Sequence, residues 1–363
     1  MILVWHALAG NVTLNYWNNG FQKTAMAQRE IVVVGASAGG VEALQTLING
    51  LPASMAASVF VVLHIPSDAA SNLHEVLGLN SALPVEPAQD GAPIVPGRVY
   101  VGVPDRHLLI ESNRIRVTRG PKENRARPAV DALFRSAAYH YGSKTIGVVL
   151  SGNLDDGTAG LWTIKDRGGV ALVQSLDDAF YPSMPKSAIE HVAVDHVLPV
   201  AEMPSVITSL TKETIPAVPL EPKVTTMETE ISIAVGENPL LNGSLKLGPI
   251  SPNTCPTCHG VLVRINEGKI IRYRCHTGHA FSMQSLFTQL GEEIDITLMT
   301  ALRTIDERIF LLQQMEQLAR DGQDVRRAID YTQQIKVSKQ WLRQLLEMIA
   351  SSGNDVTSMR DVY

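Results

Sequence analysis

Three short runs of strand-forming aliphatic residues each end on a residue with catalytic potential. Ile31-Val32-Val33-Val34 leads into Gly35-Ala36-Ser37-Ala38-Gly39-Gly40, and Val59-Phe60-Val61-Val62-Leu63 leads into His64. Ile146-Gly147-Val148-Val149-Leu150 leads into Ser151-Gly152-Asn153-Leu154-Asp155-Asp156-Gly157. Short apolar runs of this kind suit strands buried on both faces. If the three are parallel neighbours, their carboxyl ends share one edge of a sheet, the edge where open α/β folds build their sites. Ser37, His64 and Asp156 would then meet.

Helical spacing of apolar residues after the first run (Val41 to Leu47), before the third (Pro128 to Tyr139) and after it (Gly160 to Asp166) completes a series of βαβ units. The fold class expected is α/β: a doubly wound, mostly parallel sheet with helices on both faces. Ala92 to Gly102, His107 to Ile110 and Ile115 to Val117 read as short antiparallel strands between turns, so the sheet is expected to be mixed. With 363 residues the chain exceeds what one core usually serves. No run approaches the ~20 apolar residues of a membrane span, and a net charge of -5 gives no electrostatic reason to expect nucleic acid. Met1 to Trp5 is apolar but lacks the basic flank and length of a signal peptide, so a cytoplasmic location is expected. Residues 1–29 are expected to be a disordered or mis-annotated extension, with Met26 as an alternative start. Residues 30–211 are expected to form the catalytic domain.

Gly35 to Gly39 matches G-x-S-x-G on a strand-to-helix turn, which presents a serine hydroxyl beside free backbone amides. The same residues would also make a phosphate-binding loop at a helix N-terminus. Alone, His64 reads as a structural histidine and Asp156 as a turn or cap residue. All three at strand ends in one domain supply the nucleophile, base and orienting carboxylate that acyl transfer needs. The order Ser, His, Asp is not that of α/β-hydrolases, nor of the chymotrypsin or subtilisin types.

The order and local sequences resemble the catalytic domain of the chemotaxis methylesterase family, CheB, over about residues 31 to 210. The resemblance rests on Gly35 to Gly40, His64-Ile65-Pro66, Pro96-Gly97-Arg98-Val99-Tyr100 with His107, Arg127 to Phe134, Leu150 to Gly157, and Met184 to Ile189. It implies an esterase that removes methyl groups from receptor glutamates, with Ser37 as nucleophile, His64 as general acid and base, and Asp156 orienting the imidazole. Glutamine deamidation is a second activity to be expected. The oxyanion would be held by the Ala38 amide and an amide of the Gly152 to Asn153 loop. Asp155 places a second carboxylate beside Asp156, which is preferred because it precedes the glycine. The resemblance further implies a methylated chemoreceptor-like protein as partner, and a separate response regulator or methyltransferase. Well-known members carry a receiver domain ahead of the catalytic part; at most thirty residues precede the first strand here, so control by phosphorylation within the chain is not expected.

From residue 212 to 250 the composition reads as a linker punctuated by Pro216, Pro219 and Pro222, with one short helix or strand near Glu228 to Val235. All three cysteines then fall together, as Cys255-x2-Cys258 and Cys275-x3-His279 around a hairpin pattern. This is the layout of a zinc ribbon over residues 251–282, with Cys255, Cys258, Cys275 and His279 as ligands of a structural Zn and no cofactor for catalysis. His276 and His259 are alternates for the fourth position. Three cysteines do not pair off as disulfides. Apolar residues at helical spacing from Ile294 to Met315 and from Ile329 to Ile349 predict an α-helical hairpin over 283–352 around Asp321-Gly322. Its stripe would be buried on itself, on a second copy as a homo-dimer, or on a partner. Two rival readings remain: a non-enzymatic adaptor that binds receptor tails with the same fold, and a nucleotide-binding domain built on the Gly35 to Gly40 loop.

Overall fold

The computed structural model describes residues 26–67, 71–216 and 225–351. Residues 1–25 of the expected extension and 217–224 of the expected linker lie outside them. In chain order the elements are β1 (Met26–Ala27), β2 (Ile31–Ala36), α1 (Gly40–Asn49), β3 (Ser58–Leu63), α2 (Leu73–Gly78), β4 (Val85–Pro87) and β5 (Val99–Val101). The hairpin β6 (His107–Glu111) and β7 (Arg114–Thr118) follows, then α3 (Val130–Tyr141), β8 (Thr145–Val149), α4 (Thr158–Asp166), β9 (Val170–Gln174), α5 (Ser183–His191), β10 (His196–Leu198) and α6 (Met203–Lys212). The rest comprises β11 (Ile215–Pro216), α7 (Thr225–Val235), β12 (Ile250–Thr254), β13 (Val261–Glu267), β14 (Ile270–Cys275), β15 (Ala280–Ser282), α8 (Met283–Asp321) and α9 (Val325–Ser351).

Seven strands form one sheet in the order β10-β9-β8-β2-β3-β5-β4. Strand alternation assigns the two cores. Val32 and Val34 of β2 face α1 and α6, through Leu44, Leu47, Met203 and Ile207. Ile31 and Val33 face the opposite layer, where Leu133 and Phe134 of α3, Leu161 of α4 and Met184 of α5 pack. The chain winds from β2 to β3 on one side and returns to β8 on the other, so β2 is the switch point where such sheets open a crevice.

The expected mixed sheet is corrected: every pairing in the seven-stranded sheet is parallel. Val99–Val101 belongs to it, with Tyr100 stacked on Phe60 at a centroid distance of 5.1 Å. The antiparallel pair β6-β7 is separate and lies on α3, where Ser136 Oγ accepts from the Ile110 amide at 3.0 Å. Its connecting turn is short enough to read as a hairpin, yet its buried face belongs to a helix rather than to the sheet. Met26–Ala27, within the expected extension, pairs with Ile215–Pro216.

The C-terminal part begins within the expected linker. Helix α7 packs on α3, and its Glu230 is fully buried among Arg135 of α3 and Arg272 and Arg274 of β14. Strands β12 to β15 form a four-stranded antiparallel ribbon in sequence order. The ribbon's hairpin turn at Gly268 rests on Trp162 of α4. Helices α8 and α9 pack antiparallel through Leu302, Ile309, Leu312, Ile335 and Ile349, all within the two expected stretches.

Candidate active site and metal centre

Three adjacent parallel strands deliver three side chains to one edge. Ser37 follows β2, His64 follows β3, and Asp156 lies in the turn between β8 and α4. Ser37 Oγ is 3.1 Å from His64 Nδ1, and His64 Nε2 is 2.8 Å from Asp156 Oδ2. An ionised carboxylate only accepts, so Nε2 carries the proton and Nδ1 offers its lone pair to the serine hydroxyl. The nitrogens are used in the reverse order from the serine-protease template, with the same consequence: the base is oriented by the acid.

Two glycines make the approach possible. Gly39 holds φ +66° at the entry to α1, and a Cβ there would meet Phe180 and Ser151 at about 3.0 Å. A Cβ on Gly152 would stand 2.8 Å from that of Ser37 and 2.1 Å from Met184 Sδ, so the glycine lets the β8-α4 loop lie against the serine. Met184 is thus packed beneath the loop and fully buried. The Gly152 amide donates to Tyr181 O at 2.9 Å and is not free for an oxyanion. The Ala38 and Asn153 amides have no carbonyl partner among the described residues.

Asp156 is buried and densely held. Oδ2 also accepts from the Val130 amide at 2.7 Å, and Oδ1 accepts from the amides of Asp131 (3.1 Å) and Gly157 (3.0 Å) and from Asn124 Nδ2 (2.9 Å). Val130 and Asp131 open α3, so the carboxylate also caps that helix, where its charge is favoured. Burial pushes the Asp156 carboxyl up. The hydrogen bond and charge of His64, with the Asn124 and Val130 donors, outweigh it and hold the group below its ordinary value. Asp131 goes the other way: burial and the neighbouring Asp156 charge raise it well above the usual range. Asp155 does not reach His64; it accepts from Ser282 Oγ at 2.6 Å, and burial pushes it up to about 6.

The cleft above these residues has a volume of about 500 Å³ and is walled on one side by Lys122, Asn124, Arg125 and Arg127. Arg127 is not a freely solvated arginine: it donates to Asp105 Oδ1 at 3.0 Å and to Gly120 O at 2.7 Å. His107 is buried and structural, with Nε2 donating to Pro121 O at 2.8 Å; burial lowers its pKa.

Asn124 and Asp131 carried no assignment from the sequence. Asp131 lies inside the Arg127 to Phe134 motif, which was the available signal. Asn124 has none: of its side-chain partners only Asp131 is near in sequence, while Asp156 and Ser282 are 32 and 158 residues away.

The four expected metal ligands converge, with one ligand atom each and all within 4.8 Å of one another. Cys258 and Cys275 Sγ are 3.6 Å apart, and His279 Nδ1 is 3.8 Å from Cys255 Sγ and 3.6 Å from Cys275 Sγ. A tetrahedral ion with metal-sulfur bonds of about 2.3 Å has edges of about 3.7 Å, so the donor set fits. The alternates point elsewhere: His276 packs over Gly260, and His259 takes φ 58° with its amide on Cys255 O. Arg272 and Arg274, basic residues of the ribbon strands, are buried in ion pairs rather than displayed.

Comparison with known proteins follows this geometry. A family model described as CheB methylesterase matches residues 32–207. A protein-glutamate methylesterase/protein-glutamine glutaminase 2 of Anaeromyxobacter dehalogenans is 40% identical over 186 residues, 51% of this chain and 54% of that protein. A putative protein-glutamate methylesterase/protein-glutamine glutaminase of Leptospira interrogans is 38% identical over 170 residues, 47% of this chain and 88% of the relative. The crystal structure of the Thermotoga maritima CheB methylesterase catalytic domain is 36% identical, with 51% of this chain and 100% of that one covered at a TM-score of 0.49. This chain therefore spans about half the length of the first relative and most of the second. With nearly nine-tenths of the Leptospira relative covered at 38% identity, this chain belongs to the CheB methylesterase family.

Proposed function

We propose that the protein is a serine esterase that hydrolyses glutamate γ-methyl esters of chemoreceptor-like proteins. The observation that carries this reading is the hydrogen-bonded line from Ser37 through His64 to Asp156 at the carboxyl ends of adjacent parallel strands. In this reading His64 Nδ1 takes the Ser37 proton as Oγ attacks the ester carbonyl, and the oxyanion is received by the Ala38 and Asn153 amides. The tetrahedral adduct collapses, methanol leaves with the proton from His64, and a glutamyl ester remains on Ser37. Water, deprotonated by His64, then releases glutamate and restores the hydroxyl. Asp156 stays ionised throughout, and its low pKa suits it to stabilise the imidazolium. A glutamine side chain offers the same acyl carbon with ammonia as leaving group, so the glutaminase activity in the relatives' names would use the same residues.

The Cys255, Cys258, Cys275 and His279 cluster would hold a structural zinc ion, which would supply no chemistry to the esterase because all four positions are filled by protein. A separate response regulator or methyltransferase would complete the pathway. No helix among the described residues is long and apolar enough to cross a membrane, and a cytoplasmic site of action follows from the proposed receptor substrate.

The test is methanol release from a methylated chemoreceptor preparation. Release by the wild-type protein, lost by ~10,000-fold or more in Ser37→Ala, supports the esterase. Equal release by the variant would reject Ser37 as the nucleophile, and no release by either protein when folded would reject the esterase in favour of an adaptor that only binds the receptor.

A further inference from the structure

Asn124 stands where the α/β sheet and the C-terminal ribbon meet. It lies in the turn from Glu123 to Arg127, in which Asn124 and Arg125 take left-handed φ values of 47° and 70°. Asparagine tolerates that region and arginine does so at a cost, so surrounding contacts must define the turn. Several of them come from the C-terminal part. The Asn124 amide donates to Ala280 O at 2.8 Å, the Ala280 amide to Lys122 O at 3.2 Å, and Arg125 Nη2 reaches both carboxylate oxygens of Glu292 on α8, at 2.6 and 2.7 Å.

The buried side chain uses all of its hydrogen-bonding capacity. Nδ2 donates one hydrogen to Asp156 Oδ1 at 2.9 Å and the other to Asp131 Oδ2 at 2.8 Å. Oδ1 accepts from the Ser282 amide at 2.7 Å and from Ser285 Oγ at 3.2 Å. A flipped amide would aim its oxygen at two carboxylates and its NH2 at an N–H, so only this orientation is satisfied. One end of the amide therefore holds the triad carboxylate, and the other is held by β15 and the first turn of α8.

We propose that Asn124 is a positioning residue for the triad, keeping Asp156 aligned on His64 and apart from Asp131, and that the docked ribbon and α8 hold Asn124 in place. The inference rests on the hydrolytic reading above. Besides His64, Asn124 is the side chain that hydrogen-bonds Asp156 among the described residues. Without its donor, two buried carboxylates face each other with one fewer shared partner, and Asp156 loses a restraint on the oxygen not bound to His64. The C-terminal segment thereby becomes part of the esterase site although none of it lines the cleft. Ser282 reinforces the junction by capping α8, its Oγ accepting from the Ser285 amide at 2.9 Å, while donating to Asp155.

The experiment measures the second-order rate at which a fluorophosphonate probe labels Ser37 in the full-length protein, followed by mass spectrometry, which needs no receptor. Labelling is expected to slow by about 10- to 100-fold in Asn124→Ala, the range for residues that orient a reactive group. Asn124→Asp, which keeps the acceptor but adds a third carboxylate beside Asp131 and Asp156, is expected to be slower still and less stable. The downfield NMR signal of the His64 Nε2 proton is expected to shift or broaden in both, a change that loss of global stability alone would not produce. Glu292→Gln and Ser285→Ala act from the C-terminal side and are expected to slow labelling by a few-fold without lowering the melting temperature by more than a few degrees. Wild-type labelling rates in Asn124→Ala, or in both C-terminal variants, would overturn the proposal. No label on wild-type Ser37 would sink the hydrolytic reading itself and this inference with it.

Discussion

The two halves of this molecule are held by opposite means. The α/β half is built on apolar faces: β2, β3, β8 and β9 are fully buried, and two aliphatic layers cover them. The ribbon has a small apolar cluster, Cys255, Leu262, Cys275, Phe281 and Leu286, and the centre of its junction with the first half is buried charge. Arg135, Arg272 and Arg274 interlock with Glu123, Glu230 and Glu267, and all but Glu267 are nearly inaccessible to solvent. Burial alone would raise the carboxyls of Glu123 and Glu230; the surrounding guanidinium groups outweigh it and hold both below their ordinary range. Apolar layers tolerate small losses gradually, whereas a buried ion cluster is stable only when every member is present. Position in the chain does not mark this junction, since its keystone, Glu230, lies in a stretch that reads as linker.

The sharpest way to break the comparison is to remove the proposed metal. Structural zinc sites contribute about 10 kcal/mol or more of binding free energy. A strong chelator is therefore expected to unfold the ribbon in a transition separate from that of the α/β half, seen by calorimetry, while metal analysis of the untreated protein returns one ion per chain. A single unaltered transition after chelation would show that the four ligands act as packed thiols. Next in size is Glu230→Ala, which leaves three buried arginines to Glu123 and Glu267 alone and is expected to cost about 3 to 5 kcal/mol in urea unfolding. Leu47→Ala, in the apolar core between α1 and the sheet, is expected to cost about 2 to 5 kcal/mol. Unlike Glu230→Ala, it should leave the ribbon docked, as judged by unchanged proteolysis between residues 225 and 282.

The smallest effect concerns pH. Asp155 is pushed up to about 6 from an ordinary 3.8, so the folded state favours its protonated form. Its contribution is fully present below pH 3.8 and is lost as pH rises through 6. Asp155→Asn removes that loss and is expected to stabilise the protein by about 1 to 3 kcal/mol above pH 7 while changing little below pH 4. Equal effects at both pH values would mean that its bond to Ser282, rather than burial, sets its state.

What was legible in the sequence was local. The strand runs announce themselves through consecutive β-branched residues; Ser37 and His64 are fixed by adjacency to their strand ends, and Asp156 by its place before Gly157 in the turn that follows β8. The cysteine spacing revealed the Cys255, Cys258, Cys275 and His279 cluster for the same reason. What stayed hidden was non-local. Asn124 meets Ser282 across 158 residues, and Glu123 meets Arg274 across 151. No periodicity links such pairs, and a glutamate such as Glu230 carries no mark of its burial. The separate β6-β7 hairpin was read as part of a mixed sheet because short strands look alike whatever surface they cover.

The large sheet ends on both sides in strands of only three residues, Val85–Pro87 and His196–Leu198. Pro87 has no amide hydrogen to offer a neighbour. An incoming chain would find too few free backbone groups to settle in register, so strand addition is a poor route to self-association for the native protein. The aggregation hazard sits instead in the interior strands, whose unbroken valine and isoleucine runs are sheltered only while the helices stay in place.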